Sequence, residues 1–561
     1  MPLFDSLSPE GKILLREAHD RLRQGYDSRI HLVSVDTEGS LHVGIRESMY
    51  YALSLLMLDQ GWDHVEAICR AVLALQIDAP SEIFHGVFRH HPGEPLPPAG
   101  RLDYTRLGLY GRYFADRSWE RISGCFSRKL EADSSLAPRA REIRALLDSA
   151  LLESVPVVWD TYEPNTREFI LMCLAMLLEH GENRLSDGLR GEMAHAVRLG
   201  LEGALARLRT GLTPLNTNIK CMGMFLLDYF GAQMDEKAWS DAALSLARDV
   251  LSRYREFHSC AEFNSPTYYG VDLSTLGFIR RYSRCGELVS LAGELEEGIW
   301  RDAAEFYNPS MRNFCGPYSR AYELELSAHT CFYDMLFWAL GEKAFPWHPF
   351  SIESFCNPLM LLGDVRIPDD VRRILLSRER EAVLFHRFRE LSERGDPDRN
   401  SALCTATGWI SPRLMTGALS GSENPSYQLH PLVLFWQGPR GLGTVQLRRC
   451  LPDGTMNHLH TVLFDGYADR NRLSMDVQNR AEQDVDVFFE IQAEGIRPEK
   501  LTDSVWELPG LTVRLEARAP RPEVRVLGRD LVRIVYPARL ADPESLRMHF
   551  DLEAVPADAP A

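Results

Sequence analysis

The feature that most constrains this chain is a change of period. Up to about residue 345, apolar residues recur at helical spacing, as in "ESMYYALSLLMLDQ", "NTREFILMCLAMLLEHG" and "EKAWSDAALSLARDVLSRYREFH". Beyond about residue 400 the pattern becomes short alternating runs broken by Gly, Pro and Asp, such as "LHTVLFDGYA", "DVDVFFEIQAEG" and "LTVRLEARAP". Periods of 3.6 and 2 build different layers, so we expect a helical domain followed by a β domain. No fixed motif repeats among the helices, which disfavours an ordinary solenoid; paired helices can instead close into a ring with loops gathered at one rim. The expected fold is therefore an N-terminal (α/α) toroid-like domain over 1–345 and a C-terminal antiparallel β-sandwich over 401–561. The connector, 346–400, carries "IPDDVRRILLSREREAVLFHRFRELSERGD", read as one last charged helix. A helix N-cap is expected at Asn165-Thr166-Arg167-Glu168.

Composition narrows the function classes. The 561 residues are 45% hydrophobic and 25% charged, an ordinary globular balance. The net charge of −17, with no Lys/Arg-dense block, argues against a nucleic-acid partner. The N-terminus "MPLFDSLSPEGKILLREAHDRL" lacks the pattern of a signal peptide, and no apolar run is long enough to span a bilayer. The 11 cysteines are scattered without a zinc-like cluster, and most read as buried reduced thiols. The expectation is a cytoplasmic protein with no membrane partner and no cofactor. A homodimer and a divalent metal stay open. No Walker loop, Rossmann glycine pattern or HExxH motif is present.

The densest group of polar residues is "AEFNSPTYYG", residues 261–270, where Glu262, Asn264, Ser265, Tyr268 and Tyr269 follow a helical run ending at His258. Capping explains part of it, since Ser265-Pro266 suits a helix start near Thr267. Two more patches stand out: "PLNTNIKCMGMFLL", with Asn216 and Asn218, and "MNHLHTVLFDG", with His458 and His460 alternating on a strand.

Helical ring followed by β-sandwich, with Glu262-x-x-Ser265-Pro266-x-Tyr268, an upstream Asn and a later His-x-His, resembles the heparinase II/III-like and alginate-type polysaccharide lyases. The order Asn, Tyr, His agrees with that group. Tyr268-Tyr269 stands where the family often has Tyr-His, and its usual Asp after His-x-His is displaced to Asp465. The resemblance implies cleavage beside a uronic acid: the C5 proton is removed and the C4 oxygen expelled. An amide or cation must neutralise the carboxylate as the enolate develops, a role for Asn216, Asn218 or Asn264. Tyr268 or a histidine (His458 or His329) would move the protons. Arg320, in "GPYSRAYELELSAH" beside Tyr318, would lower the tyrosine pKa or grip the substrate carboxylate. Glu262, Tyr269, Tyr318, Trp159 and Asp160 complete the expected contacts with an oligo- or polysaccharide substrate, on which exo-type action is preferred.

Other classes share these features. A glycoside hydrolase would use two carboxylates, for which Asp160, Glu163, Glu262 and Glu325 are candidates, with Trp159 or Tyr162 stacking on a sugar. An epimerase would share the proton abstraction. A non-catalytic carbohydrate-binding protein would suit the aromatic-rich loops "DYTRLGLYGRYFADRSWERI" and "HGVFRHHPGEPLPPAG". His329 on an apolar helix equally suits a core histidine, and Arg280, Arg281 and Arg284 a solvated face.

Overall fold

In the computed structural model the described residues are 3–97, 125–146, 163–210, 216–347, 357–390, 402–456 and 462–557, less a few single positions and pairs within these stretches. Helices run over Pro9–Gly25 (α1), Ile45–Met57 (α2), Trp62–Leu73 (α3), Thr166–Gly181 (α4), Asp187–Thr210 (α5), Thr217–Gln233 (α6), Lys237–Phe257 (α7), Tyr268–Tyr282 (α8), Gly286–Phe306 (α9) and Thr330–Leu340 (α10).

These helices differ in kind. α4 and α6 are buried on nearly every side, whereas α7 buries one stripe (Trp239, Ala243, Leu246, Val250, Tyr254) and gives the rest to water. A helix apolar all round must sit inside and a striped one outside. Accordingly α2, α4, α6, α8 and α10 pack in succession as an inner layer, with α3, α5, α7 and α9 behind them. α1 packs on both α2 and α10, which brings the layer round on itself. This is the expected toroid-like arrangement. The inner helices approach closely: a Cβ on Gly270 of α8 would lie 2.5 Å from the Phe332 amide nitrogen of α10.

Two small sheets interrupt the helical half against expectation. Tyr26–Asp27 (β1), Leu32–Thr37 (β2) and Ser40–Gly44 (β3) form one antiparallel sheet, and Tyr307–Asn308 (β4) pairs with Asn313–Phe314 (β5). The cap at residue 165 also differs. Glu163, not Asn165, accepts a turn amide (Asn165 N, 2.9 Å), and Glu168 pairs with the buried Arg167 at 3.0 Å instead of folding back.

The connector corrects the reading more sharply. Its helix, Asp369–Leu375 (α11), stops after one turn or two, and the stretch expected to prolong it is a strand, Ala382–Arg389 (β6). The β half thus begins at Ala382, ahead of residue 401. β6 is an edge strand of an eight-stranded antiparallel sheet. From β6 inward the sheet continues through Leu403–Ile410 (β7), Leu414–Ser420 (β8), Leu432–Gly438 (β9), Gly441–Cys450 (β10), Val485–Gln492 (β13), Leu531–Ala538 (β17) and Glu523–Val526 (β16). A second sheet holds Val462–Asp469 (β11), Arg472–Asn479 (β12), Arg547–Pro556 (β18), Leu511–Arg518 (β15) and Val505–Leu508 (β14).

The two sheets pack face to face through β7 and β8 against β11, where Thr407 Oγ1 accepts the Ala468 amide at 2.8 Å. β11 and β12 bury alternate residues, as one-sided strands do; β8 and β9 are buried almost throughout. Their second face is covered by residues 313–321 of the helical half. Contact there is so close that a Cβ on Gly417 would stand 1.8 Å from the Gly316 carbonyl oxygen. Among the described residues no helix is long and apolar enough to cross a membrane.

Candidate functional site

The site is built on the turn between α7 and α8. α7 ends on His258 in the left-handed region (φ 52°), and Asn264 adopts the same conformation, which a short polar side chain tolerates better than most. Asn264 Nδ2 donates to the carbonyls of Cys315 (2.6 Å) and Pro317 (2.9 Å). Ser265 Oγ donates to the Arg320 carbonyl at 2.6 Å and accepts the Tyr268 amide at 3.2 Å. The turn is therefore clamped to residues 315–320, and Arg320 is fixed beside the first residue of α8.

From there Arg320 acts as a hub. Its Nη2 donates to the Tyr268 hydroxyl at 2.9 Å, and the guanidinium carbon lies 4.5 Å from that ring's centroid. Its Nε donates to Gln428 Oε1 at 3.2 Å, and the Tyr268 hydroxyl donates to the same oxygen at 3.3 Å. Nη1 stands 3.8 Å from Glu262, whose two oxygens accept the Thr217 amide at 3.1 and 3.3 Å. Thr217 opens α6, with Asn216 at its N-cap and Asn218 next along. One guanidinium so joins the α7–α8 turn, the start of α6 and the β half.

This geometry has a chemical consequence. A fixed guanidinium on a phenolic oxygen favours the phenolate, while Gln428 supplies an acceptor for the phenol proton. The Tyr268 hydroxyl therefore has a donor and an acceptor on the same oxygen. Asn218 is 4% exposed, and among the described residues its Oδ1 has no hydrogen-bond partner. Buried amide oxygens are seldom left so unless something else is to pair with them.

Below Tyr268, one turn along α8, Asp272 is fully buried, and neither carboxyl oxygen has a well-formed hydrogen bond. Burial first, and then the charge of Glu262, holds its carboxyl well above the usual range. Burial likewise pushes up the thiols of Cys221 and Cys260 beside it, and lowers Lys220, which Asp249 at 3.6 Å opposes. Burial thus disfavours charge in the layer beneath the site, and a low-dielectric surround strengthens the contacts of the Arg320 guanidinium above it.

The expected site residues divide on inspection. Tyr268, Glu262 and Arg320 come together, with Asn216 and Asn218 joined to them through the Thr217 amide. Arg320 turns donors to Tyr268 and Gln428 and lies 3.8 Å from Glu262. Glu262 is correspondingly a buried scaffold group and not a substrate contact. Asn264, Tyr269 and Tyr318 are also corrected. All three are sealed in the core, the Tyr269 hydroxyl accepting the Asn264 amide (2.7 Å) and the Tyr318 hydroxyl donating to the Phe314 carbonyl (2.8 Å). His458, His460, His329, Trp159 and Asp160 lie outside the described residues. Gln428 was not anticipated; it sits 160 residues from Tyr268 in the chain and carries no local signal. Among the described residues no group of three or more His, Cys, Asp or Glu side chains could hold a metal ion.

A family described as a domain of unknown function, DUF8769, matches residues 149–355, the span that contains α4 to α10. No curated protein matches the chain. Among solved structures it is similar in fold to a heparinase III, at 11% identity over 75% of this chain and 74% of that one, with a TM-score of 0.34. A further heparinase III is 10% identical over 91% of this chain and 78% of that one, at 0.33. The heparan sulfate lyase HepC from Pedobacter heparinus is 11% identical over 98% and 89%, at 0.30. These are likenesses of fold at low identity.

Proposed function

We propose that the protein is a carbohydrate-active lyase that cleaves a uronate-containing oligo- or polysaccharide by β-elimination. The observation that carries this reading is the 2.9 Å hydrogen bond from Arg320 to the Tyr268 hydroxyl, with Gln428 as the second partner of the same oxygen. In the proposed reaction Tyr268, as phenolate, takes the C5 proton, or as phenol protonates the departing C4 oxygen. Asn218 and Asn216 donate amide N–H groups to the developing enolate. His458 is the candidate for whichever proton transfer Tyr268 does not perform. Arg320 acts on the tyrosine and leaves the substrate carboxylate to the amides.

A second reading, hydrolysis, draws on one observation. Burial pushes the Glu163 carboxyl above its usual range, as a general acid requires. The two readings differ in where the solvent oxygen goes. Elimination in labelled water incorporates no oxygen at the cleaved bond, whereas hydrolysis places it on the new anomeric carbon. Labelled oxygen there would replace the lyase reading with a glycosidase and make Glu163 the first carboxylate to substitute.

A further inference from the structure

Just before β9, a buried histidine joins the two halves of the molecule. His430 is 1% exposed, and its backbone pairs in both directions with Tyr318: Tyr318 N to His430 O at 3.2 Å, and His430 N to Tyr318 O at 3.0 Å. The Ala321 amide donates to the Gln428 carbonyl at 2.9 Å. Residues 318–321, which carry Arg320, are thus laid along 428–430 as a short ladder. The imidazole adds one more rung. Its Nε2 is 2.9 Å from the Ala321 carbonyl oxygen, and its Nδ1 is 2.7 Å from Gln446 Oε1.

The proton count follows from the partners. The Gln446 amide is oriented by Glu490, because its Nε2 donates to Glu490 Oε1 at 2.8 Å. Arg533 Nε donates to the other oxygen of Glu490 at 2.7 Å, and Arg448 Nη1 lies 3.9 Å from Oε1, so the Glu490 carboxylate sits between two guanidinium groups. Flipping the Gln446 amide would set its oxygen against a carboxylate, so Oε1 must face His430. A carbonyl oxygen and an amide oxygen are both acceptors, and neither can donate to a ring nitrogen. A neutral imidazole has one donor and would press a bare lone pair against the other acceptor.

We propose that His430 is a buried imidazolium, with both ring nitrogens donating, and that it positions Arg320 by holding the Ala321 carbonyl. Among the described residues, the charged and titratable groups near it include Glu490, with Arg448 and Arg533 behind, on the sheet side, and Tyr318 on the helical side, where Arg320 directly precedes Ala321. Its charge is communicated to Glu490 through the polarised Gln446 amide. Loss of one proton leaves either the Ala321 carbonyl or Gln446 Oε1 without a donor, and the ladder that presents Arg320 to Tyr268 loosens at that point. The protonation assignment stands by itself; the positioning role rests on the lyase reading.

The test is nitrogen NMR on protein labelled with 15N-histidine, with the His430 signals assigned by their loss in His430→Gln. The expected result at about pH 7.5, roughly a unit above the midpoint of a free histidine, is two protonated ring nitrogens for His430. One protonated and one bare nitrogen would overturn the inference, whatever the protein's activity. Glu490→Gln is the second variant, and should let His430 lose its proton at lower pH; an unchanged transition would also contradict the inference. For the positioning role, kcat should fall on the alkaline side with the midpoint seen by NMR, and His430→Gln should flatten that limb, since its amide still donates to Ala321. A doubly protonated His430 with a kcat profile indifferent to the substitution would remove the positioning role. Absence of any eliminase activity would count against the proposed function and leave the NMR result to decide the protonation.

Discussion

Arg320 Nη2 stands 2.9 Å from the Tyr268 hydroxyl, a single hydrogen bond between residues 52 positions apart in the chain. It fixes the phenol at the head of α8 against a cation whose remaining donors reach Glu262 and Gln428.

Replacing Tyr268 with Phe deletes the oxygen that both Arg320 and Gln428 address. The protein should fold, with a stability loss of about 1 kcal/mol for the hydrogen bonds removed. Turnover should fall by roughly 100-fold or more, as for loss of a general acid or base. Steady-state kinetics beside a denaturant titration checks this. A large loss of stability with turnover intact would make Tyr268 a structural residue.

Arg320→Ala leaves Glu262 buried without its cation, beside Asp272. Breaking a buried pair from one side costs about 3–5 kcal/mol, so urea should unfold this variant well below the native midpoint. Arg320→Lys restores a charge near Glu262 but not the directed donors on Tyr268 and Gln428. It should recover much of the stability and little of the turnover. Equal recovery of both would show that charge alone suffices.

Much of this was legible in the sequence. The change from helical to alternating period placed the two halves, because each period follows from a layer that buries one face. The 262–268 turn was also visible, since its residues are contiguous. Its meaning was not, because Glu262, Asn264 and Ser265 are absorbed in holding residues 217 and 315–320, which only folding brings near, while Tyr269 braces Asn264. Gln428 and His430 were invisible for the same reason: they reach the site from the opposite half of the molecule. β6 was misread because an edge strand carries charges that discourage pairing with other chains, and "RFRELSER" then looks like an exposed helix. In β6 itself Leu384 and Phe388 point inward, while Val383 and Phe385 are exposed.

A pH effect on stability should arise away from the site. Glu390 is 1% exposed, and burial pushes its carboxyl up to about 7, against the Ser422 hydroxyl (2.7 Å) and the Glu423 amide (2.9 Å), which favour the charged form. A folded value above the unfolded one of about 4.3 means that the native state binds the extra proton between them. Stability from this group therefore declines as pH rises from about 4.3 to about 7, by on the order of 3 kcal/mol in all. Glu390→Gln should flatten that decline. Denaturant midpoints that fall equally in both proteins would assign the effect to another group.

Gly417 tests how closely the halves are joined. Its alanine variant must push a methyl into the Gly316 carbonyl, so β8 or the 313–321 segment has to move. The expected cost is about 3 kcal/mol or more, together with lost turnover, since the same segment carries Arg320. A variant of native stability would mean that the contact between sheet and helices is looser than described.

Elimination can be followed directly by ultraviolet absorbance during incubation with a panel of uronate-containing oligosaccharides. Elimination creates a C4–C5 double bond conjugated to the carboxylate. Absorbance should rise with the native protein and at least roughly 100-fold more slowly with Tyr268→Phe. Cleavage that yields only saturated, non-absorbing products, or an undiminished rise with the Phe variant, would contradict elimination by Tyr268.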